Sequence, residues 1–276
     1  MSTAPVTART AIRAAACELA VVSETPRLDA ELLMAHALGI TREAVLLGRL
    51  DDVAPEAFAP LIERRLSHEP IAYITGTRAF WTIELAVGPG VLVPRADSET
   101  LIEAAIDHFG ARAPAKILDL GTGPGTLLLA ALDHWPQATG LGVDASAQAL
   151  DYAQANARDL GMADRADFRL SDWAAGVVGA FDLILANPPY IGEHEPLPRE
   201  VREHEPGAAL FAGEDGLDDY RAIVPQLAPL LVPGGAAILE IGATQADAVS
   251  ELLVAAGFVV AARRDLAGHA RALIAS

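Results

Sequence analysis

Lys116-Ile117-Leu118-Asp119-Leu120-Gly121-Thr122-Gly123-Pro124-Gly125-Thr126 joins a short apolar run to a glycine-spaced turn, and a helical pattern follows at once. An apolar run of this length, closed by glycines and a helix, describes a buried strand of a parallel sheet. Glycines at such a strand end adopt positive φ and let the backbone approach a ligand closely. The spacing is Gly-x-Gly-x-Gly. It lacks the Gly-x-Gly-x-x-Gly of dinucleotide binders, and no Gly-Lys-Ser/Thr follows as a phosphate loop requires. Taken alone, the run also suits a plain strand-to-helix turn, so its meaning depends on what surrounds it.

Downstream, strand and helix patterns alternate. Strands are expected at 116–120, 139–144, 166–170, 181–186, 236–241, 258–262 and 271–275, with helices such as 147–160 and 245–256 between them. This predicts an α/β fold: a doubly wound, mostly parallel, seven-stranded, Rossmann-like sheet. Upstream, residues 1–70 show only helical periodicity, with Gly39 and Gly48 closing two segments, and read as a small helical bundle. Residues 71–93 turn β-branched and aromatic, broken by Gly76, Gly88, Pro89 and Gly90, and are expected to form a β-hairpin linker. Residues 94–276 then form the large α/β domain. Its first helix is expected to take Asp97 or Ser98 as N-cap, with Glu99 in the first turn.

Composition limits the function. The 276 residues are 52% hydrophobic, enough for a large core. Of the formal charge of −17, residues 1–85 carry −3 and residues 86–276 carry −14. A catalytic half so acidic argues against a broad phosphate-binding surface. The single cysteine, Cys17, rules out an internal disulfide and fits a reducing compartment. No apolar run approaches the roughly 18–20 residues needed to cross a bilayer, and the first residues lack an apolar leader core. The seven histidines have no metal-ligand spacing, so no metal is expected. The reading is of a cytoplasmic protein, with nothing that demands more than a monomer.

Two further strand ends carry polar groups suited to a nucleoside. Asp144 closes the second strand about twenty residues after the glycine turn, where a carboxylate can accept both ribose hydroxyls; a helix N-cap is its plainer role. Ser171-Asp172-Trp173 follows the third strand. Asp172 can accept from an adenine amino group, and Trp173 can offer an indole face or simply fill core. Three hits at successive strand ends describe a pocket for adenosine without a phosphate requirement, which points to S-adenosylmethionine before NAD or ATP.

Asn187-Pro188-Pro189-Tyr190 stands after the fourth apolar run, Phe181-Asp182-Leu183-Ile184-Leu185-Ala186. An amide or aromatic amine nitrogen is a poor nucleophile, because its lone pair is delocalised. Methylating it requires acceptors for both N–H groups and alignment with the methyl donor. The Asn187 side-chain oxygen and the Pro188 carbonyl can be those acceptors. Pro188 and Pro189 stiffen the turn and remove backbone donors. Tyr190 can pack on a flat substrate group and tolerates a nearby sulfonium. The alternative is an ordinary proline turn.

Gly121–Gly125, Asp144, Ser171-Asp172-Trp173 and Asn187–Tyr190 together resemble class I S-adenosylmethionine-dependent methyltransferases of the amino type. Glu69-Pro-Ile-Ala-Tyr-Ile-Thr-Gly76, Phe80-Trp81, Val91-Leu-Val-Pro-Arg95, Glu205-Pro206 and Gly213-Glu-Asp-Gly-Leu217 resemble, more narrowly, the HemK-type protein-(glutamine-N5) methyltransferases that modify peptide chain release factors. The resemblance extends through Pro26-Arg-Leu-Asp-Ala-Glu-Leu-Leu33. It implies methylation of the glutamine in the Gly-Gly-Gln loop of class 1 release factors, with the N-terminal bundle helping to hold that protein. It implies cofactor contacts at Gly121, Thr122, Gly123, Pro124, Gly125, Asp144, Asp172, Trp173 and Asn187, and substrate contacts at Asn187, Pro188, Pro189 and Tyr190. Two departures stand out: Pro94-Arg-Ala-Asp-Ser-Glu99 where the family has Pro-Arg-Pro-Asp/Glu-Thr-Glu, and Pro124 where it has a small polar residue.

Two other classes fit parts of this pattern. An adenine- or cytosine-directed nucleic-acid methyltransferase can use the same Asn-Pro-Pro-Tyr to hold a flipped base. The acidic catalytic half and the lack of an inserted recognition segment disfavour it. A cofactor-binding regulator without chemistry is disfavoured by the intact Asn187 and Tyr190.

Overall fold

The computed structural model describes residues 5–265 and 267–276; the first four residues of the expected bundle lie outside it. The chain forms two compact units. One runs to Thr77 and takes back Leu197–His204; the other comprises Arg78–Pro196 and Glu205–Ser276.

The first unit contains α1 (Ala8–Leu19), α2 (Pro26–Leu38), α3 (Arg42–Ala44, continuing as a π-helical turn Val45–Arg49), α4 (Phe58–Leu66) and α5 (Ile71–Thr75). Thr7 caps α1 by accepting from the Thr10 N–H, while Pro26 opens α2 and Gly39, at φ 66°, closes it. Ile12, Leu19, Leu33, Met34, Phe58 and Ile62 form the core. Two carboxylates buried among them are paired. Asp29 accepts from Arg65 at 2.8 Å, and Glu31 is held by Arg27 and Arg42.

The expectation of a hairpin over 71–93 needs correction at both ends. Ile71–Thr75 is helical, ended by Gly76 at φ 81°, because Ala72, Tyr73 and Ile74 are buried and packing overrides their strand propensity. The hairpin itself is only β1 (Thr77–Phe80) and β2 (Ile83–Ala86). The return of Leu197–His204 to the first unit was also unforeseen; there Glu200 pairs with Arg65 at 2.8 Å.

In the second unit follow α6 (Glu99–Phe109), β3 (Lys116–Leu120), α7 (Thr126–His134), β4 (Thr139–Asp144), α8 (Ala147–Asp159), β5 (Ala166–Leu170) and β6 (Phe181–Ala186). After α9 (Arg199–His204), which belongs to the first unit, come α10 (Asp218–Leu227), β7 (Leu231–Glu240), α11 (Ala246–Ala255), β8 (Val260–Arg264) and β9 (Ala270–Ala275). The seven-stranded order is β5-β4-β3-β6-β7-β9-β8; β9 alone runs antiparallel, to β7 and β8. From β3 the chain winds outward through β4 and β5, then returns to add β6 on the other side. The gap beyond the C-terminal ends of β3 and β6 is thus the switch point where doubly wound sheets bind ligands. The central strands are apolar on both faces, as burial under helices demands; Leu118, Ile184 and Leu239 are fully buried. No helix among the described residues is long and apolar enough to cross a membrane.

Candidate active site

A cavity of about 430 Å³ opens at this switch point. Gly121, Thr122, Gly123 and Pro124 after β3, Asp144 at the end of β4, Asp172 and Trp173 after β5, and Asn187 and Pro189 after β6 all line it. Gly125, Pro188 and Tyr190 do not. Gly125, at φ 88°, turns the loop into α7, where a Cβ would meet the Leu129 side chain at 2.7 Å. Gly121 has φ 70°, and a Cβ there would stand 3.1 Å from the Trp173 ring, so the indole lies directly on the glycine loop.

The loop is braced by two carboxylates. Asp144 Oδ2 accepts from the Gly123 N–H and Oδ1 from the Ser146 N–H, both at 2.8 Å. The N-cap of α8 is Ser146, which accepts from Ala149, so Asp144 does not cap that helix and keeps lone pairs toward the cavity. Asp119, unforeseen as a site residue, is 1% exposed and also lines the cavity. Its Oδ2 accepts from the Thr122 hydroxyl at 2.6 Å and the Leu128 N–H at 3.2 Å. Its Oδ1 has no partner among the described residues. Burial pushes this carboxyl up to about 7, against the pull of Thr122 and Leu128, and Asp144 adds repulsion. Asp219 also lines the cavity; burial raises its carboxyl, with the Trp173 indole opposing and Asp218 and Asp172 assisting.

Across the cavity, Asn187 Nδ2 donates to Ser98 Oγ at 3.2 Å. Its Oδ1 accepts from no described residue and is left to the cavity. Ser98 stands where an N-cap was expected, but its backbone is helical and its side chain caps nothing; it serves Asn187 instead. Pro188 is buried. The Tyr190 ring packs on the core, its carbonyl accepts from Gln245 at 2.9 Å, and its hydroxyl reaches Glu240 at 3.5 Å. Burial, reinforced by Glu240, pushes the phenol up to about 12. Arg95 lines the cavity and pairs with the buried Glu205, which also accepts from the Val93 N–H.

Ser98 and Asp119 line the cavity but went unrecognised as site residues; Asp119, like the buried Glu240 outside the cavity, left a signal. An acid inside Lys-Ile-Leu-Asp-Leu and one ending Ala-Ala-Ile-Leu-Glu are charges in runs that must be buried.

A doubly wound sheet with a glycine loop, a strand-end carboxylate and Asn-Pro-Pro-Tyr at its switch point defines a methyltransferase. Family models agree: that of the PrmC N-terminal domain matches residues 10–76, and that of the methyltransferase small domain matches residues 96–200. The release factor glutamine methyltransferase of Rhodospirillum rubrum is 45% identical over 91% of this chain and 79% of its own length. That of Cereibacter sphaeroides is 44% identical over 95% of each. The chain belongs to the release factor glutamine methyltransferase family. Solved structures share the fold at lower identity. A Pyrococcus furiosus methyltransferase superposes with TM-score 0.53 at 18% identity, covering 77% of this chain and 95% of that one. A T. thermophilus 16S rRNA methyltransferase, solved with AdoMet and guanosine, gives 0.51 at 21%, covering 72% and 49%.

Proposed function

We propose that this protein methylates the side-chain amide nitrogen of the glutamine in the Gly-Gly-Gln loop of class 1 peptide chain release factors, using S-adenosylmethionine. The observation that carries this reading is the Asn187 carboxamide, tethered through Nδ2 with Oδ1 left to a cavity that ends on an unpartnered buried acid. The relatives' shared name supports the choice of substrate.

The residues present fit the cofactor. The orphaned Asp119 Oδ1 suits an ammonium group, the free lone pairs of Asp144 suit ribose hydroxyls, and Asp172 beside the Trp173 indole suits an adenine. When bound, S-adenosylmethionine supplies an electrophilic methyl on a sulfonium. Asn187 Oδ1 accepts an N–H bond of the substrate amide and aims its nitrogen, so the protein contributes alignment and electrostatics; Pro188, expected as the second acceptor, lies outside the cavity lining. The proton leaves after transfer, when the methylated nitrogen is acidic, so no strong base is required. Tyr190 acts by bracing the turn from below, with Pro188 and Pro189 keeping it rigid.

The test has two parts. Calorimetry should find binding of S-adenosylmethionine but not of NAD or ATP. Labelled donor should mark a release factor and leave DNA and RNA unmarked; label on nucleic acid alone would replace this reading with the base-directed one.

A further inference from the structure

Pro188 and Pro189 have no N–H, so the turn from Asn187 to Tyr190 is held by bonds with other segments. Its near end is tied where Asn187 Nδ2 donates to Ser98 Oγ at 3.2 Å. At its far end, the Tyr190 carbonyl accepts from Gln245 Nε2 at 2.9 Å. The same Nε2 donates to the Gly216 carbonyl at 3.2 Å, and Gln245 Oε1 accepts from the Gly242 N–H at 3.0 Å. One carboxamide thus joins the turn after β6, the segment before α10 and the loop after β7, with both of its hydrogens used. Chemistry fixes its orientation: an N–H faces its oxygen and two carbonyls face its nitrogen, so a flipped amide would lose all three bonds.

Gly216 completes this contact. It stands at φ 71°, and a Cβ there would lie 2.3 Å from the Tyr190 oxygen, so only glycine lets its segment seat on the turn. That segment runs beside the chain leaving the turn. Ile191 donates to the Leu210 carbonyl at 3.0 Å, Ala212 to the Ile191 carbonyl at 2.9 Å, and Glu193 to the Gly213 carbonyl at 3.0 Å. Just upstream, Pro206, Ala208 and Ala209 line the cavity. The Gly213-Glu-Asp-Gly-Leu217 run, which no step of methyl transfer uses, is thus part of what holds the turn in place. We propose that Gln245 and Gly216 are positioning residues, which fix the far end of the turn so that Asn187 Oδ1 stays aimed at the amide nitrogen. Neither lines the cavity, so both act through the turn and not on substrate or cofactor. A misplacement of about 1 Å can cost about 10²-fold in rate, which sets the scale of what this clamp protects.

The consequence for catalysis rests on the methyl-transfer role given to Asn187; the clamp itself does not, and two measurements separate them. Asn156 and Asn187 are the chain's two asparagines, so protein labelled with nitrogen-15 in its asparagine side chains gives two NH2 signals, which Asn187→Ala tells apart. Gln245→Glu keeps an oxygen for the Gly242 N–H but removes both donors. In the free variant, the Asn187 NH2 should shift and exchange its hydrogens with water about tenfold faster or more. The Asn156 NH2, bonded to the Ala86 and Pro124 carbonyls, should stay as in the native chain. An unchanged Asn187 signal, or an equal change in both, overturns the proposal whatever the substrate proves to be. With release factor as acceptor, Gln245→Glu should lower kcat about tenfold or more, while the calorimetric Kd for S-adenosylmethionine stays within a few-fold. Native kcat, or a Kd weakened as much as kcat, overturns the proposal. Gly216→Ala, which presses on the same carbonyl, should reproduce both effects. Should Gln245→Glu fail to fold, Gln245→Ala, which sets no charge beside the two carbonyls, decides by the same readings. If the native protein marks no release factor, the proposed substrate fails while the asparagine signals still judge the clamp.

Discussion

Asp119→Asn should make the ligand-free protein more stable and a poorer cofactor binder. Asp119 Oδ2 already takes both available hydrogen bonds, from Thr122 and Leu128, while Oδ1 takes none among the described residues. Asparagine can keep the first arrangement with its oxygen and place its NH2 where the unpartnered oxygen stood. The native carboxyl rises from 3.8 to about 7 on folding. A raised acid binds its proton more tightly in the folded state, so its contribution is fully present below the unfolded value. It is lost as the pH climbs through the folded one. The ceiling on that loss is about 4 kcal/mol above neutrality. Asparagine does not titrate. Urea unfolding without cofactor should therefore show the variant gaining on the native chain between about pH 4 and about pH 7, with no further gain beyond. Binding should change the other way. Losing a charged acceptor for an ammonium removes about 1.5–3 kcal/mol, a Kd about 10- to 100-fold weaker by calorimetry at pH 8. Parallel stability curves for the two proteins would refute the burial argument. Unchanged affinity would refute the ammonium contact.

Three other substitutions probe separate parts of the structure. Asn187→Ala should lower kcat by about 10²–10³ while leaving the calorimetric cofactor affinity within a few-fold, since it removes an acceptor that acts on the reacting amide. Gly142→Ala would put a Cβ 2.8 Å from both Phe168 Cδ1 and Thr122 Oγ1. Its unfolding midpoint in urea should fall by the equivalent of about 1–3 kcal/mol, and cofactor affinity should drop as Thr122 shifts off Asp119. Tyr220→Phe removes a 2.7 Å bond to the buried Glu240 carbonyl and should destabilise by about 1–3 kcal/mol in the same assay, with kcat at pH 8 much less affected.

The sheet was readable because each central strand is a short apolar run between a helix and a turn, and 116–120, 139–144, 166–170 and 181–186 match β3 to β6 without adjustment. The glycine loop, Asp144, Asp172, Trp173 and Asn187 were readable as neighbours because parallel topology brings successive strand ends to one edge. What escaped was set by tertiary packing. The β-branched run at 71–75 became a helix once its residues were buried. Leu197–His204 joined the first unit through Arg65 and Ser67, partners more than a hundred residues away. Ser98 looked like a cap because serine before a helix usually is one; its bond to Asn187, 89 residues on, has no local signature. Tyr190 was read from its chemistry as a substrate platform, whereas its ring faces the core and its hydroxyl faces Glu240. Asp119 and Glu240 could have been found from the rule that a charge inside a buried run needs a reason.

The reading of Asn187 and its cavity stands or falls on where the methyl group goes. A class 1 release factor incubated with the native protein and labelled S-adenosylmethionine, then digested and sequenced by tandem mass spectrometry, should carry one methyl on the glutamine side chain of Gly-Gly-Gln. The parallel Asn187→Ala reaction should leave that peptide almost unmodified. A methyl on another residue, or equal modification by the variant, would contradict the assignment.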